Sequence, residues 1–462
     1  MILGQLLGGA LGDTPWLGRL GALRLVMSLQ IVASLASAFC GSGASMTAAS
    51  SSSSHIPAHS LFVQLAVWRF LLGVGAGGVY PLAAVLSAEQ TDDSGPGQSE
   101  ESSLQRVVLT FSTQGIGFLA VPLVTVFLLH TFADLDLVWR ILLALGSLPG
   151  LCLSVLQWHI YRQSQRPVPL AHEALPISET AADEHPDGLT VTEGPVVVIN
   201  PKSGAAEEEG HFLQSSISSP RVPLEAGESY DTQFSTALPS RNGIWSSIRQ
   251  EDQLLRKLFG TACTWFLFDV LFYGNTLFQP IVIEAAFGAR DDSDPLRLLQ
   301  QTAFNSLLLT SMALPGYFMA SMVLGNKTCG ITQTPRYVML QGFLAMSLLY
   351  LTIGVTWTAL RRFPSGLIIL YGLTFFFANY GPNTTTFVLP SLVYSPECRS
   401  TLNGVSAAAG KIGALVGASL FAPAAGRVGD ATIMVICSVM ALMAFAITYL
   451  FVQVRRDDGN VA

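Results

Sequence analysis

Long apolar stretches alternate with short polar connections along most of the chain. A helix needs about 20 apolar residues to cross the hydrocarbon core of a bilayer, and most of these stretches reach that length. The pattern therefore predicts an all-α polytopic membrane protein with ten full spans, and residues 1–12 indicate part of an eleventh. The predicted full spans are residues 22–40, 61–86, 106–130, 138–158, 258–286, 301–324, 337–359, 366–390, 402–424 and 431–453.

A polar segment divides this pattern into two parts. Residues 162–250 are rich in Pro, Ser, Glu and His and almost lack apolar periodicity, which is typical of a long disordered loop. Four and a half spans precede it and six follow, which indicates two related halves of six spans. Because the first half is short by one span and most of another, we expect that the chain lacks its natural N-terminus or descends from one that did. The predicted parts are a truncated N-terminal helical bundle (1–160), a disordered cytoplasmic loop (161–255), a C-terminal six-helix bundle (256–454) and a cytoplasmic tail (455–462).

Basic residues near the ends of the spans predict the orientation in the membrane. Lysine and arginine are enriched in cytoplasmic loops of membrane proteins. More of them lie beside the central loop and the C-terminus than on the opposite side, as Arg162, Arg256, Lys257 and Arg455 illustrate. This bias places the central loop and the C-terminus in the cytoplasm.

Composition and charge exclude several classes of protein. Of the 462 residues, 50% are hydrophobic and only 12% are charged, whereas about 25% are charged in a soluble domain. The net charge of −7 and the lack of a basic cluster argue against nucleic-acid binding. The six cysteines form no CxxC or Cys/His spacing, and no nucleophile–base pair stands out. We therefore expect no metal, no cofactor and no enzymatic activity.

The apolar segment at residues 265–274 (WFLFDVLFYG) carries a single carboxylate. Trp265, Asp269 and Tyr273 recur every four residues, so they share one face of a helix. Lys411 is a second charge within an apolar span. Because charges in hydrocarbon are costly, Asp269 and Lys411 predict a functional site; the alternative is a buried structural ion pair.

Uncharged polar residues in other apolar spans extend this candidate site. They supply hydroxyl, indole and amide groups beside the ammonium of Lys411, which together form a donor-rich set suited to a small oxyanion. A carboxylate in such a site requires an anion that carries a proton, as dihydrogen phosphate does and sulfate at neutral pH does not. Asp269 would accept that hydroxyl and penalise sulfate. The uncharged polar residues of this kind are Tyr80, Gln114, Trp265, Tyr273, Asn379 and Asn383.

Some of these positions also have a purely structural interpretation. The glycines of residues 73–78 allow close helix packing, and Gln114 or Asn379 could form an interhelical hydrogen bond. Gly381-Pro382 predicts a local break in its helix. Broken helices at membrane depth are tolerated where they line a cavity, so we favour a cavity position for Asn383.

Several motifs resemble those of the proton-coupled inorganic phosphate symporters, a family of the major facilitator superfamily. Gly12-Asp13…Gly18-Arg19 and Arg69…Gly73 are similar to general motifs of the superfamily. The resemblance implies the major facilitator fold of two pseudo-symmetric helical bundles and phosphate uptake by alternating access. The motifs of the narrower family are residues 77–82 (GGVYPL), 265–274, 381–387 (GPNTTTF) and 404–411 (GVSAAAGK).

The resemblance also implies roles for individual residues. In such symporters, phosphate is held midway across the membrane between the two halves. Lys411 would neutralise the anion and Asp269 would handle a proton. The matching substrate-binding positions are Tyr80, Gln114, Trp265, Asp269, Tyr273, Asn383 and Lys411. The positions implied in gating or structure are Asp13, Arg19, Arg69, Glu89 and Arg399.

The sequence departs from the family pattern in three places. Val79 stands where the family signature has an acid thought to carry the coupled proton. The family's first helix, which holds another carboxylate, has no counterpart in this sequence. The first cytoplasmic loop is stretched to residues 13–19 (DTPWLGR), and the later Pro-x-Glu segment is Pro390-Ser-Leu392. These departures predict looser gating, with coupling through Asp269 alone or uniport.

We therefore expect a secondary active transporter of inorganic phosphate, proton-coupled, with arsenate as a competitor. The plasma membrane is the family default, with an internal membrane as the alternative; the sequence leaves the oligomeric state open. One alternative function is a non-transporting phosphate sensor or degenerate paralogue. Another is a sugar or organic-ion porter on the same fold, against which the charge of Lys411 argues.

Overall fold

The chain forms a helical bundle. The computed structural model describes residues 1–41, 58–89, 99–164, 243–288, 294–324 and 333–452, so most of the predicted central loop and the C-terminal tail lie outside the described residues. The helices before the loop are α1 (Ile2–Gly12), α2 (Gly18–Ala38), α3 (Ala58–Glu89), α4 (Ser99–Thr131), α5 (Leu135–Leu145) and α6 (Leu148–Ser164). Those after it are α7 (Ile244–Gln250), α8 (Leu254–Phe287), α9 (Pro295–Val323), α10 (Pro335–Val355), α11 (Trp357–Leu360), α12 (Pro364–Ala378), α13 (Thr384–Val393), α14 (Arg399–Val428) and α15 (Asp430–Phe451).

The predicted spans correspond to long apolar helices. Within the described ranges, nine helices are long and apolar enough to cross a membrane, with α5 and α6 forming one of them. The tenth predicted span is present as α12 and α13, which a π-helical segment joins. The fold prediction of an all-α polytopic membrane protein is confirmed.

Local sequence signals set where some of these helices begin. The Asp294 side chain accepts a hydrogen bond from the Leu296 amide at 3.0 Å, and Pro295 occupies the first helical position of α9. Thr334 and Pro335 play the same two roles at the start of α10. Capping oxygens satisfy the free amides of a first turn, and proline has no amide to satisfy.

The helices before and after the central loop pack into two bundles that meet along several helices. Helix α1 lies against both α3 and α14, and α4 lies against α9. Glycines permit this close packing: a Cβ on Gly404 of α14 would lie 2.4 Å from the carbonyl oxygen of Gln5 on α1. The contacts of α1 and α4 therefore hold the two halves together at two places.

The expected break at Gly381-Pro382 is a single π turn, Asn379–Asn383, inside an otherwise continuous helix. Hydroxyl groups satisfy the carbonyls that the wider turn frees: Thr384 Oγ1 donates to Asn379 O at 2.6 Å and Thr385 Oγ1 to Gly381 O at 2.9 Å. This local repair explains why the chain bulges here and does not unwind.

Candidate functional site

The two buried charges meet across α8 and α14. Lys411 Nζ donates to Asp269 Oδ2 at 2.9 Å and to the Tyr273 hydroxyl at 3.0 Å. Asp269 is 2% exposed and Lys411 is 8% exposed. Pairing offsets much of the cost of removing both charges from water, which is why they persist in an apolar interior. The ammonium has one further hydrogen to donate.

Two side chains from the first half complete the surroundings of this ammonium. Lys411 Nζ lies 5.6 Å from the centroid of the Tyr80 ring and 4.7 Å from that of Tyr273, within range of cation–π attraction. The Gln114 side chain lies next to the Tyr80 hydroxyl. The structure thus brings together residues of α3, α4, α8 and α14 at one point between the two halves.

Trp265 lies beside this group on α8. It is 3% exposed, and its indole ring packs against Gly410, the residue before Lys411. A Cβ on Gly410 would lie 2.8 Å from Trp265 Nε1, so glycine at this position lets the indole approach the helix that carries the lysine. Asp269 and Tyr273 follow at four-residue intervals, as the helical pattern predicts.

Asn383 is buried nearby but bonds elsewhere. Its side-chain nitrogen donates to the Tyr317 hydroxyl at 2.9 Å and to Asn379 Oδ1 at 2.7 Å. Among the described contacts, none joins Asn383 to Lys411. Tyr317, on α9, is 1% exposed and its ring packs 5.8 Å from that of Phe111. The sequence interpretation did not single out Tyr317, although a tyrosine in an apolar span was a usable signal.

A second cluster links the two halves at the predicted cytoplasmic end. The Asp13 carboxylate accepts hydrogen bonds from the Thr401 amide and hydroxyl, both at 2.7 Å, and from the Ser400 amide at 3.3 Å. These amides open α14, so an acid of the first half caps a helix of the second. Burial raises the pKa of Asp13 above its ordinary value, although the Thr401 bonds oppose this.

Glu89 connects two arginines in the same cluster. Its carboxylate pairs with Arg19 of the first half and, at 3.0 Å, with Arg399 Nη1 of the second. Arg19 also lies 3.6 Å from Asp13. We call Asp13, Arg19, Glu89, Arg399 and Thr401 the latch.

Arg69 is not brought to the latch. It is exposed, and it precedes Glu89 on α3 by 20 residues, which is roughly 30 Å along the helix. The structure therefore places it toward the other end of the bundle from the four remaining candidate gating residues.

An acid that sequence reasoning missed lies beside the latch. Glu251, between α7 and α8, is 9% exposed and accepts hydrogen bonds from Lys257 Nζ at 2.6 Å, from the Ser395 amide at 3.1 Å and from the Ser395 hydroxyl. Burial raises the pKa of Glu251, but these bonds outweigh it and leave the pKa below its ordinary value. We call Glu251, Lys257 and Ser395 the clasp.

Comparison with known proteins identifies the family. The family model described as Major Facilitator Superfamily matches residues 1–418. The chain belongs to this superfamily. It is accordingly a multi-pass membrane protein with the fold of secondary transporters.

Its similar relatives are named as phosphate transporters. The low affinity inorganic phosphate transporter 1 of Petunia hybrida is 28% identical over 449 residues, covering 92% of this chain and 71% of that one. The probable inorganic phosphate transporter 1-12 of Oryza sativa subsp. japonica is 30% identical, covering 91% and 70%. The inorganic phosphate transporter PT2 of Toxoplasma gondii is 28% identical, covering 98% and 62%.

Solved structures share the fold at low identity. The proton:xylose symporter XylE bound to 6-bromo-6-deoxy-D-glucose aligns with a TM-score of 0.60 at 15% identity, covering 97% of this chain and 84% of that one. The human organic anion transporter MFSD10 aligns with a TM-score of 0.56 at 15% identity, covering 97% and 80%. At this identity the likeness establishes the major facilitator fold alone.

Proposed function

We propose that this protein is a secondary active transporter that moves inorganic phosphate across a membrane by alternating access. The observation that carries the proposal is the buried ammonium of Lys411, held by Asp269 and Tyr273 beside Tyr80 and between the two halves. A small oxyanion needs a positive charge and several hydrogen-bond donors, and this group supplies both. The names of the relatives support phosphate as that anion.

Asp269 makes the proposed site selective for an anion that carries a proton, and it accepts that proton. A phosphate that still carries a proton can donate it to Asp269, whereas sulfate would leave two negative charges facing each other in a dry site. Phosphate also competes with Asp269 for Lys411. As Lys411 turns to the anion, the carboxylate loses its counter-ion, and the proton that it shares with the phosphate hydroxyl relieves the cost of its charge.

The latch provides the proposed gate. While Asp13 caps α14 and Glu89 pairs with Arg399, the two halves are joined at the predicted cytoplasmic end. Release of phosphate on that side requires these contacts to separate. Access to the site would then alternate as the two halves rock about it.

Uptake by the purified full chain in proteoliposomes tests this function. We expect accumulation of radiolabelled phosphate that arsenate inhibits, that sulfate and xylose do not, and that a proton ionophore reduces. Saturable phosphate binding in detergent with no counterflow in vesicles would indicate a sensor instead. Competition by xylose but not by arsenate would indicate a sugar porter.

Val79→Asp is expected to make phosphate uptake depend more steeply on pH. Val79 packs beside the apolar cluster of Ala22, Val26 and Leu82, so a carboxylate there would be poorly hydrated and its charge would be costly. It would therefore bind a proton readily and couple a further proton to transport. The measurement is initial uptake rate against pH for the wild type and the variant.

Val79→Asn is the matched control, since asparagine has the shape and polarity of aspartate but does not titrate. It should retain the pH profile of the wild type. An unchanged profile in Val79→Asp, with normal expression, would show that this position does not determine coupling.

A further inference from the structure

Three buried polar side chains lie between the latch and the candidate site, and none of them takes part in the contacts of either. Gln5, Ser400 and Asn403 are each fully buried. Both side-chain amide atoms of Gln5 and Asn403, and the hydroxyl of Ser400, have no hydrogen-bond partner among the described residues. Buried polar groups are almost always paired, so such a concentration requires a reason.

These groups line the contact between the two halves. A Cβ on Gly404 would lie 2.4 Å from the Gln5 carbonyl oxygen, and one on Gly12 would lie 2.4 Å from the Ser400 hydroxyl. Gly9 likewise meets the Ser400 carbonyl. Positions 5, 9 and 12 share one face of a helix. The Gln5 side chain is therefore directed at α14.

The same side of α14 carries the substrate-site lysine. At 100° per residue, Ser400, Asn403, Gly404 and Lys411 fall within a sector of about 100°. Asn403 precedes Lys411 by eight residues, or roughly 12 Å along the helix. Ser400 is the residue whose amide Asp13 accepts in the latch. The unpaired groups thus form a polar row from the site to the latch.

We propose that Gln5, Ser400 and Asn403 form a second, transient binding site for phosphate, which the anion occupies on its way between Lys411 and the latch side. This inner site rests on the proposed function. Amide and hydroxyl hydrogens are donors for phosphate oxygens. Opening of the latch separates the two faces that carry them, and it frees Arg19 and Arg399 from Glu89, so positive charge lies at the outer end of the row.

Neutral donors suit a site of this kind. An anion leaves a lysine-bearing site only if the next position is attractive enough to receive it and weak enough to release it. Another buried lysine would trap phosphate, and an apolar wall would repel it. A row of unpaired amides and a hydroxyl lies between these extremes.

Asn403→Asp tests the inner site, because it preserves the shape of the side chain and, once the open latch lets water reach it, presents a negative charge to the anion. Radiolabelled phosphate counterflow is measured with the full chain in right-side-out and inside-out vesicles, with phosphate varied on one face at a time. We expect the KM on the latch side to rise about tenfold while the KM on the opposite side changes less than about twofold. A purely structural role would change both values together.

Asn305→Asp is the matched control. Asn305, on α9, is also buried with an unpaired side-chain nitrogen, but it lies outside the α1–α14 contact. It should produce no asymmetry between the two faces. If Asn403→Asp does not reach the membrane, Gln5→Leu and Asn403→Leu should give the same asymmetry to a smaller extent.

The outcomes separate this inference from the function on which it rests. No phosphate flux in the wild type would overturn the proposed function. Flux in the wild type, with both KM values unchanged or equally changed in Asn403→Asp and in the two leucine variants, would overturn the inner site alone.

Discussion

Lys411→Ala and Asp269→Asn are each expected to abolish phosphate uptake, which means a reduction of at least about 100-fold. Lys411 supplies the side-chain ammonium of the site, and removing one partner of a buried charged hydrogen bond costs about 2–5 kcal/mol. A change of 2.7 kcal/mol corresponds to about 100-fold in affinity. The measurement is initial uptake of radiolabelled phosphate, normalised to protein in the membrane.

A structural ion pair makes a different prediction, so a double variant separates the two. Lys411→Ala alone leaves the Asp269 charge buried and uncompensated, which destabilises any membrane bundle. Lys411→Met combined with Asp269→Leu removes both charges and keeps the volume. We expect this double variant to fold as the wild type does and still not to transport phosphate.

Arg427→Ala on the same helix is the control for loss of a cation, since Arg427 is exposed. Normal phosphate uptake in Lys411→Ala, in Asp269→Asn or in the double variant would refute the site. In that case the pair would be a structural ion pair that joins α8 to α14.

The sequence predicts those features of this fold that depend on neighbouring residues. Apolar length alone identified each span, because the bilayer imposes the same requirement on all of them. The helix limits nevertheless differ from the predicted ones: α2 begins at Gly18 and not at residue 22, and it ends at Ala38 and not at residue 40. The sequence did not place this first turn within the span because it contains the charged Arg19. Arg19 can be buried there because it pairs with Glu89, which lies far along the chain.

The candidate site could be identified in part for a similar reason. Asp269 and Lys411 stand out because charge is rare in apolar spans, and a four-residue spacing relates Asp269 to Tyr273. Tyr317 offered only the weaker signal of an uncharged polar group in an apolar span, and Glu251 offered none. Glu251 lies at a span end, where acids are common, and its role depends on Ser395, 144 residues away. Such pairings are fixed by tertiary packing.

The clasp and the latch act on the same turn of the chain. Glu251 holds Ser395 from one side, while Arg399 donates to the carbonyl of Tyr394 and pairs with Glu89 on the other. The turn at residues 394–398 therefore orients the first amides of α14. It connects the end of the central loop to the proposed gate, and residues 390–392 supply no acid there.

Glu251→Gln is expected to loosen the latch about tenfold. Glutamine keeps the shape of the side chain, but it has no negative charge to accept the hydrogen bonds from Lys257 and Ser395. Hydrogen bonds to a charged group contribute about 1.5–3 kcal/mol. With part of that energy lost, the turn before α14 moves more freely and Asp13 holds the helix less often. The Ser400 and Thr401 amides donate hydrogen bonds to Asp13, so the rate of hydrogen exchange at these two amides measures how often the latch opens.

The pH dependence of that exchange gives the sign of the effect. Because the pKa of Glu251 lies below its ordinary value, the stabilisation by the clasp is complete above the ordinary carboxyl pKa and is lost as the pH falls through the lowered one. The difference in protection between wild type and Glu251→Gln should therefore be constant from about pH 6 to pH 8 and shrink below about pH 4. Asp252→Asn, at the exposed neighbouring acid, should leave protection unchanged. Equal protection of Ser400 and Thr401 in wild type and Glu251→Gln would mean that the clasp anchors the central loop without acting on the gate.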